Sequence, residues 1–225
     1  MPRAQHKTNQ FRRADIAQVL RAAPGIGLYA ERKKFATQTY NAFISAKLTA
    51  KELKTRGAGA TNLLSIGFST RQLITLGFRA NDLKRATQGN PRQLLGMVKS
   101  LNADVLTLKR LGFSLRDIIN FHYGLTSLAM AGFTIQELRK AGFTLKEFKD
   151  AKFSAITLKK AGFSFKQLCA ADYSPRQLFS AGFSARELRT LGLSIHQLRD
   201  LGYNHPQLKN AGFSENEITK AGVRK

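Results

Sequence analysis

The sequence predicts an all-α protein: a solenoid of single short capped helices in ten-residue repeats, with a small helical N-terminal segment. Three observations predict it. A ten-residue phrase recurs, as where AGFTIQELRK is followed directly by AGFTLKEFKD over residues 131–150. Within the phrase, Ser or Thr precedes Glu or Gln by three residues, which is the signature of a helix N-terminus. A Gly then recurs where a left-handed residue ends a helix.

The chain divides at the start of the repeat, into residues 1–47 and 48–225. The first 14 residues, MPRAQHKTNQFRRA, contain no acid. Followed by DIAQVLRAA they have the basic amphipathic character of a transit peptide, but a retained basic arm is the preferred reading over a cleavable one. DIAQVLRAA and LYAERKKFATQTYNAFISAK read as two helices separated by a PGIG turn. This segment is expected to serve as an N-terminal cap for the solenoid, as an anchoring domain, or as both.

The repeat starts at Leu48. LTAKEL, GAGATNLL, GFSTRQL, GFRANDL, GNPRQL and LNADVL are its early copies, separated by slips. From Phe113 the register holds to the end, through GFSLRDI, GFTIQEL, GFSFKQL, GFSAREL and GFSENEI. The count is about seventeen units between Leu48 and Val223, degenerate copies included. Ser164 and Ser184 are N-caps, and Gln167 and Glu187 close their capping boxes. Pro91 and Pro175 fall at the first helical position, where proline is favoured. Gly162 and Gly182 are the left-handed stops.

The Phe joins neighbours. It precedes the cap, so it can staple onto the Leu at the fourth helical position. It also follows the previous helix's Gly, so it can close a Schellman contact with that helix's Leu. Phe163 is therefore expected to touch both Leu158 and Leu168. A spacing of five between Phe and Leu suits neither a strand nor a sustained heptad. A lone two-turn helix is unstable in water, so each must stack on its neighbours. The last unit, GFSENEITKAGVRK, is polar, as a capping repeat should be.

Composition narrows the function. There are 37 Lys and Arg against 14 Asp and Glu, a net charge of +23. The imbalance implies a polyanionic neighbour: nucleic acid, an anionic membrane surface or acidic protein. Charge is heavier up to residue 110, roughly +15 against roughly +8 beyond it. Hydrophobic content of 43% is enough for a core. No apolar run approaches the roughly 20 residues of a membrane span. The single Cys169 excludes an internal disulfide and fits a reducing, intracellular compartment.

No constellation points to catalysis, a metal or a cofactor. His6, His122, His196 and His205 lack accompanying ligands at metal spacing and read as solvated or repeat-surface residues. GAGATN, residues 57–62, lacks the Gly-Lys-Ser/Thr ending of a phosphate loop and falls in register as a degenerate repeat. Cys169 has no His or Asn arranged around it. Glu137, Glu147 and Glu187 are explained by capping boxes.

Cations favour two places in the repeat. The second helical position holds Arg71, Arg92, Arg116, Lys146, Lys166, Arg176 and Arg186. The residue after Leu, the fifth helical position, holds Arg139, Lys149, Lys159, Arg189, Arg199 and Lys209. The two are three apart, hence on one face of each helix. Stacked, they form ridges for phosphates or acidic protein. The plainer account is solvation, helped at the fifth position by the helix macrodipole. The macrodipole does not favour the second position. The candidate polyanion-binding residues are Arg12, Arg13, Arg32, Lys33 and Lys34, then the second-position row.

The run AGFTLKEFKD…AGFSARELRT resembles decapeptide-repeat proteins with GFS-x-x-E-L-K phrases, a group associated with protists and large DNA viruses. The resemblance covers residues 48 to 223. It implies the fold and no catalytic residues, and it draws attention to virion structural proteins. The function expected is a non-enzymatic scaffold that ties together protein subunits of a large assembly, such as a minor structural protein of a virion capsid or a similar particle. The alternative is a sequence-independent nucleic-acid-binding basic solenoid. Against that alternative, each Phe is already committed to joining helices and is not free to stack on bases. A charge-held peripheral protein on an anionic membrane ranks third and an enzyme last. No cofactor or small-molecule substrate is expected.

Overall fold

A computed structural model of the chain describes residues 13–23 and 29–224. Arg12 and the PGIG turn therefore lie outside the described residues. Among the described residues there are helices and no strands. The chain forms two compact units, Met1–Tyr123 and Gly124–Lys225.

The first unit opens with α1 (Arg13–Arg21) and α2 (Tyr29–Ser45). Helix α2 buries Ala36, Thr39 and Phe43, whose spacings of three and four place them on one face. Short helices follow: α3 (Ala50–Thr55), α4 (Ala60–Ser65), α5 (Thr70–Thr75), α6 (Ala80–Ala86), α7 (Pro91–Leu101), α8 (Val105–Arg110) and α9 (Leu115–Asn120). The second unit contains α10 (Leu125–Met130), α11 (Ile135–Lys140), α12 (Leu145–Asp150), α13 (Ala155–Lys160) and α14 (Phe165–Ala170). It continues with α15 (Pro175–Ser180), α16 (Ala185–Arg189), α17 (Ile195–Leu201), α18 (His205–Asn210) and α19 (Glu215–Lys220). Helices α3 to α19 correspond one to one with the repeats counted in the sequence. GAGATN is one of them: Gly59 is the N-cap of α4.

The slips have a local cause. Helix α7 is 11 residues long, started by the Asn90 side chain accepting from the Arg92 and Gln93 N–H groups, with Pro91 at its first position. It ends at Asn102, whose φ of 49° is left-handed. The caps Arg79, Asn90 and Asp104 show where: the seven-residue α6 and its turn displace the register before Asn90, and the longer α7 displaces it again before Asp104.

Most starts and stops share one chemistry, with Gly59, Arg79 and Gly124 the caps at which no side chain accepts an N–H. The Ser164 hydroxyl accepts from Gln167 N–H at 3.3 Å, and Gln167 Oε1 accepts from Ser164 N–H at 2.9 Å. Ser184 and Glu187 repeat the exchange at 3.2 and 2.8 Å. At the other end, Phe163 N–H donates to the Leu158 carbonyl at 3.1 Å and Gly162 N–H to the Lys159 carbonyl at 2.9 Å. That pair is the Schellman motif.

The stop is imposed even where glycine is missing. Lys152 occupies the glycine position with φ of 65°, and Lys152 and Phe153 donate to the Lys149 and Phe148 carbonyls at 2.8 and 2.9 Å. A side chain there pays about 1–2 kcal/mol for the left-handed conformation. Lys152→Gly is therefore expected to stabilise the protein by about 1 kcal/mol, after the added chain entropy of glycine is deducted. Thermal melts of the two proteins check this.

Within each unit, helices pack on the second one along the chain. Helix α4 packs on α6 and α5 on α7 in the first unit; α13 packs on α15 and α16 on α18 in the second. The apolar residue at the fourth helical position, Leu158, Leu168, Leu178, Leu188 and so on, is fully buried. Tyrosines at the aromatic position fix the period: Tyr173 Oη donates to the Phe153 carbonyl at 2.8 Å and Tyr203 Oη to the Phe183 carbonyl at 2.5 Å, each 20 residues back. Tyr123 makes the same bond to Ala103. The packing period is thus two repeats.

Phe163 makes contacts that the sequence reading did not foresee. Phe163 is 6% exposed, and besides its backbone bond to Leu158 its ring meets Phe148 of α12 edge-on, centroids 6.1 Å apart. Arg139 of α11 lies over the same ring at 5.0 Å. One ring thus reaches back past the adjacent helix.

Candidate polyanion interface

The two cation positions part company in the structure. Fifth-position side chains turn along the array and bond to the end of the second helix on. Lys149 Nζ donates to the Asp172 carbonyl at 2.8 Å and Lys159 Nζ to the Gly182 carbonyl at 2.7 Å. Arg189 and Arg199 donate to the Ala211 and Ala221 carbonyls, both at 2.7 Å. The same cations cover the aromatic ring that follows: Lys159 over Phe183 and Arg189 over Phe213, each at 4.2 Å, and Lys149 over Tyr173 at 5.9 Å. Lys209, close to the chain end, pairs with Glu215 at 2.7 Å. These cations supply positive charge to helix C-termini, but the C-termini belong to a different repeat. They are ties between repeats and not half of an outward ridge, which corrects the single-face expectation.

The second-position cations remain outside, although Arg71 also donates to the Leu101 carbonyl at 3.4 Å. Arg71, Arg92, Arg116, Lys146, Lys166, Arg176 and Arg186 are all exposed, and none forms an ion pair among the described residues. A period of two repeats sorts them into tracks. Lys149 ties α12 to the end of α14, and Phe165 of α14 meets Phe183, just before α16, at 5.3 Å. Lys146, Lys166 and Arg186 thus belong to successive members of one stack, and Arg176 to the other.

The N-terminal candidates are brought against the array. Arg32 and Lys33 of α2, together with Arg71 of α5, line one cleft of about 680 Å³. Phe68 seats α2 there: its ring lies 6.1 Å from that of Phe43 and 6.3 Å from that of Tyr40. Gly67 permits the approach, because a Cβ on it would stand 3.2 Å from the Arg32 carbonyl oxygen, and its φ is 100°. Lys34 is exposed and is not among the lining residues. Arg13 starts α1, and its side chain is outside the described ones. Tyr29 and Tyr40 also line the cleft; sequence reading passed over them because residues 1–47 carry no repeat to flag them.

The acids are occupied elsewhere. Glu52 and Glu147 are held below the ordinary glutamate value of 4.5 by the backbone N–H and then the hydroxyl of Thr49 and Thr144. The Ser214 hydroxyl and then its N–H do the same for Glu217. A carboxylate lowered on folding adds stability above its unfolded pKa and loses it as pH falls through the folded value. The melting temperature is therefore expected to stay level from pH 7 to about 5 and to fall progressively below about 4.5. A melt flat down to pH 3 would show that the caps contribute nothing. Protonating the acids also strengthens the self-repulsion of a chain already at +23.

His205 departs from expectation. It is buried, 8% exposed, and its Nε2 lies 2.9 Å from Glu215 of the next repeat. Among the described residues no group of three or more His, Cys, Asp or Glu is arranged to hold a metal ion. No helix among them is long and apolar enough to cross a membrane.

A family model described as a decapeptide repeat region matches residues 102–175 and again 153–225, together more than half of the chain. The chain belongs to the decapeptide repeat family. The matched part of this decapeptide-repeat protein begins where α7 ends, after the register slips, which is where uniform ten-residue units take over. No curated protein and no solved structure matches it.

Proposed function

We propose that this decapeptide-repeat protein is a non-enzymatic scaffold that ties together subunits of a large assembly through its second-position cations. The observation that carries the reading is the division of labour among the cations. One set is spent holding the array together, while the other stands exposed without acidic partners. An interior committed to packing, with charge presented at regular intervals, suits spanning and docking. The finer form, a minor structural protein of a virion capsid or a similar particle, draws on the resemblance to repeats of large DNA viruses.

The second reading is sequence-independent nucleic-acid binding. The cleft lined by Arg32, Lys33 and Arg71 favours it. Density-gradient fractionation of the native source, with and without nuclease, separates the two. Sedimentation with a large particle that survives nuclease supports the scaffold. Release into light fractions by nuclease transfers the lead to nucleic acid.

A further inference from the structure

The cleft beneath α2 combines features that the cation rows do not. Its cations, Arg32, Lys33 and Arg71, stand beside two tyrosines, Tyr29 and Tyr40. At about 680 Å³ it lies within the range of small-ligand sites, about 300–1,000 Å³. No acid is among its described lining residues, and Glu31, the one acid of α2, is not one of them. Residues 1–12 and 24–28 contain no acid either, so neither segment can neutralise it.

Two groups lack what they need. Arg32 Nε is shielded from solvent and has no acceptor among the described residues. That Nε is closed off and cannot itself reach a ligand, but the planar guanidinium presents its outer N–H groups as a fork that an oxyanion with two oxygens matches. Tyr29 is 80% exposed, an aromatic ring left to water at the rim. Phosphate and a flat aromatic partner, side by side, are the two halves of a nucleotide.

We propose that this cleft is a binding site for single-stranded nucleic acid, with backbone phosphate on Arg32, Lys33 and Arg71 and a base stacked on Tyr29. A duplex fits the chemistry less well, because its bases are stacked on each other and offer no free face. The repeat aromatics are poorly placed for this work, since Phe163, Phe183 and Tyr203 are buried and Phe133, Phe143, Phe153 and Phe213 are half-buried. The inference is independent of the scaffold reading and gives the nucleic-acid reading a location. A scaffold can carry this site, and failure of the site leaves the particle experiment unaffected.

The test uses the full chain and fluorescence anisotropy with a labelled oligothymidylate, which forms no secondary structure. A sulfated polysaccharide of similar charge serves as the base-free control. Tyr29→Ala is expected to weaken the oligonucleotide by about fivefold or more, the low end of a base–aromatic stack, and to leave the polysaccharide unchanged. Tyr29→Trp is expected to retain binding. Lys33→Gln with Arg71→Gln is expected to lower the slope of log K against log salt by about 1.4, two single-strand contacts at about 0.7 each. The proposal is overturned if Tyr29→Ala leaves oligonucleotide affinity within twofold, or weakens both ligands alike.

Discussion

Replacing Phe163 with alanine is expected to destabilise the protein by about 3–5 kcal/mol, the range for a large aromatic truncated in a core. The ring is 6% exposed. Its loss removes the transfer free energy of the side chain and leaves a cavity that short helices pinned at both ends cannot easily close. It also removes the edge-on pair with Phe148 at 6.1 Å, an arrangement that contributes about 0.5–1.5 kcal/mol beyond burial, and uncovers Arg139. The backbone bond from residue 163 to the Leu158 carbonyl survives the substitution. The measured loss therefore reports the ring and not the Schellman motif. Equilibrium urea denaturation provides the number. A loss under about 1 kcal/mol would falsify the claim that one aromatic ties several repeats together.

The fold was legible wherever the determining chemistry lies within ten residues. Ser164 with Gln167 and Gly162 with Phe163 announce their bonds in the sequence, because caps and stops are made between near neighbours. The packing period was not legible, because it is set by contacts between repeats. Once it is known, a pairing appears: Arg139 with Phe163, Lys159 with Phe183 and Arg189 with Phe213 each put a cation two repeats before a ring. Phe179 takes the cation's place against Tyr203, the rings 4.8 Å apart. The rule that residues three apart share a face holds for an isolated helix. In the array, the fifth position faces along the stack and the second faces outward, with Arg71 the exception through its bond to the Leu101 carbonyl at 3.4 Å. His205 was misjudged for the same reason, since its partner Glu215 sits in the next repeat. The cleft was out of reach because α2 is not a repeat, and nothing periodic marks where it docks.

The two cation sets should respond in opposite ways to neutralisation. Arg189→Met removes a charge-assisted bond to the Ala211 carbonyl and a guanidinium 4.2 Å from the Phe213 ring. Hydrogen bonds involving charge contribute about 1.5–3 kcal/mol, and an exposed cation–ring contact about 0.5–1. Arg189 keeps contact with water, and methionine retains part of the packing, so the expected loss is about 2 kcal/mol. A double-mutant cycle with Phe213→Leu isolates the ring contact, with a coupling of about 0.5–1 kcal/mol expected. Lys146→Gln, Lys166→Gln and Arg186→Gln combined should instead leave stability within about 0.5 kcal/mol per site, as for surface changes that break no contact. The same triple variant should lower the salt slope of duplex DNA binding by about 2.7, three contacts at about 0.9 each. Arg189→Met, one fifth-position tie cut, should leave that slope nearly unchanged while the melt shifts. If the triple variant melts early and binds as before, the exposed row is structural and the interface lies elsewhere. If both variants lose both properties, holding the array together and holding its partner are one function, and the partner completes the fold.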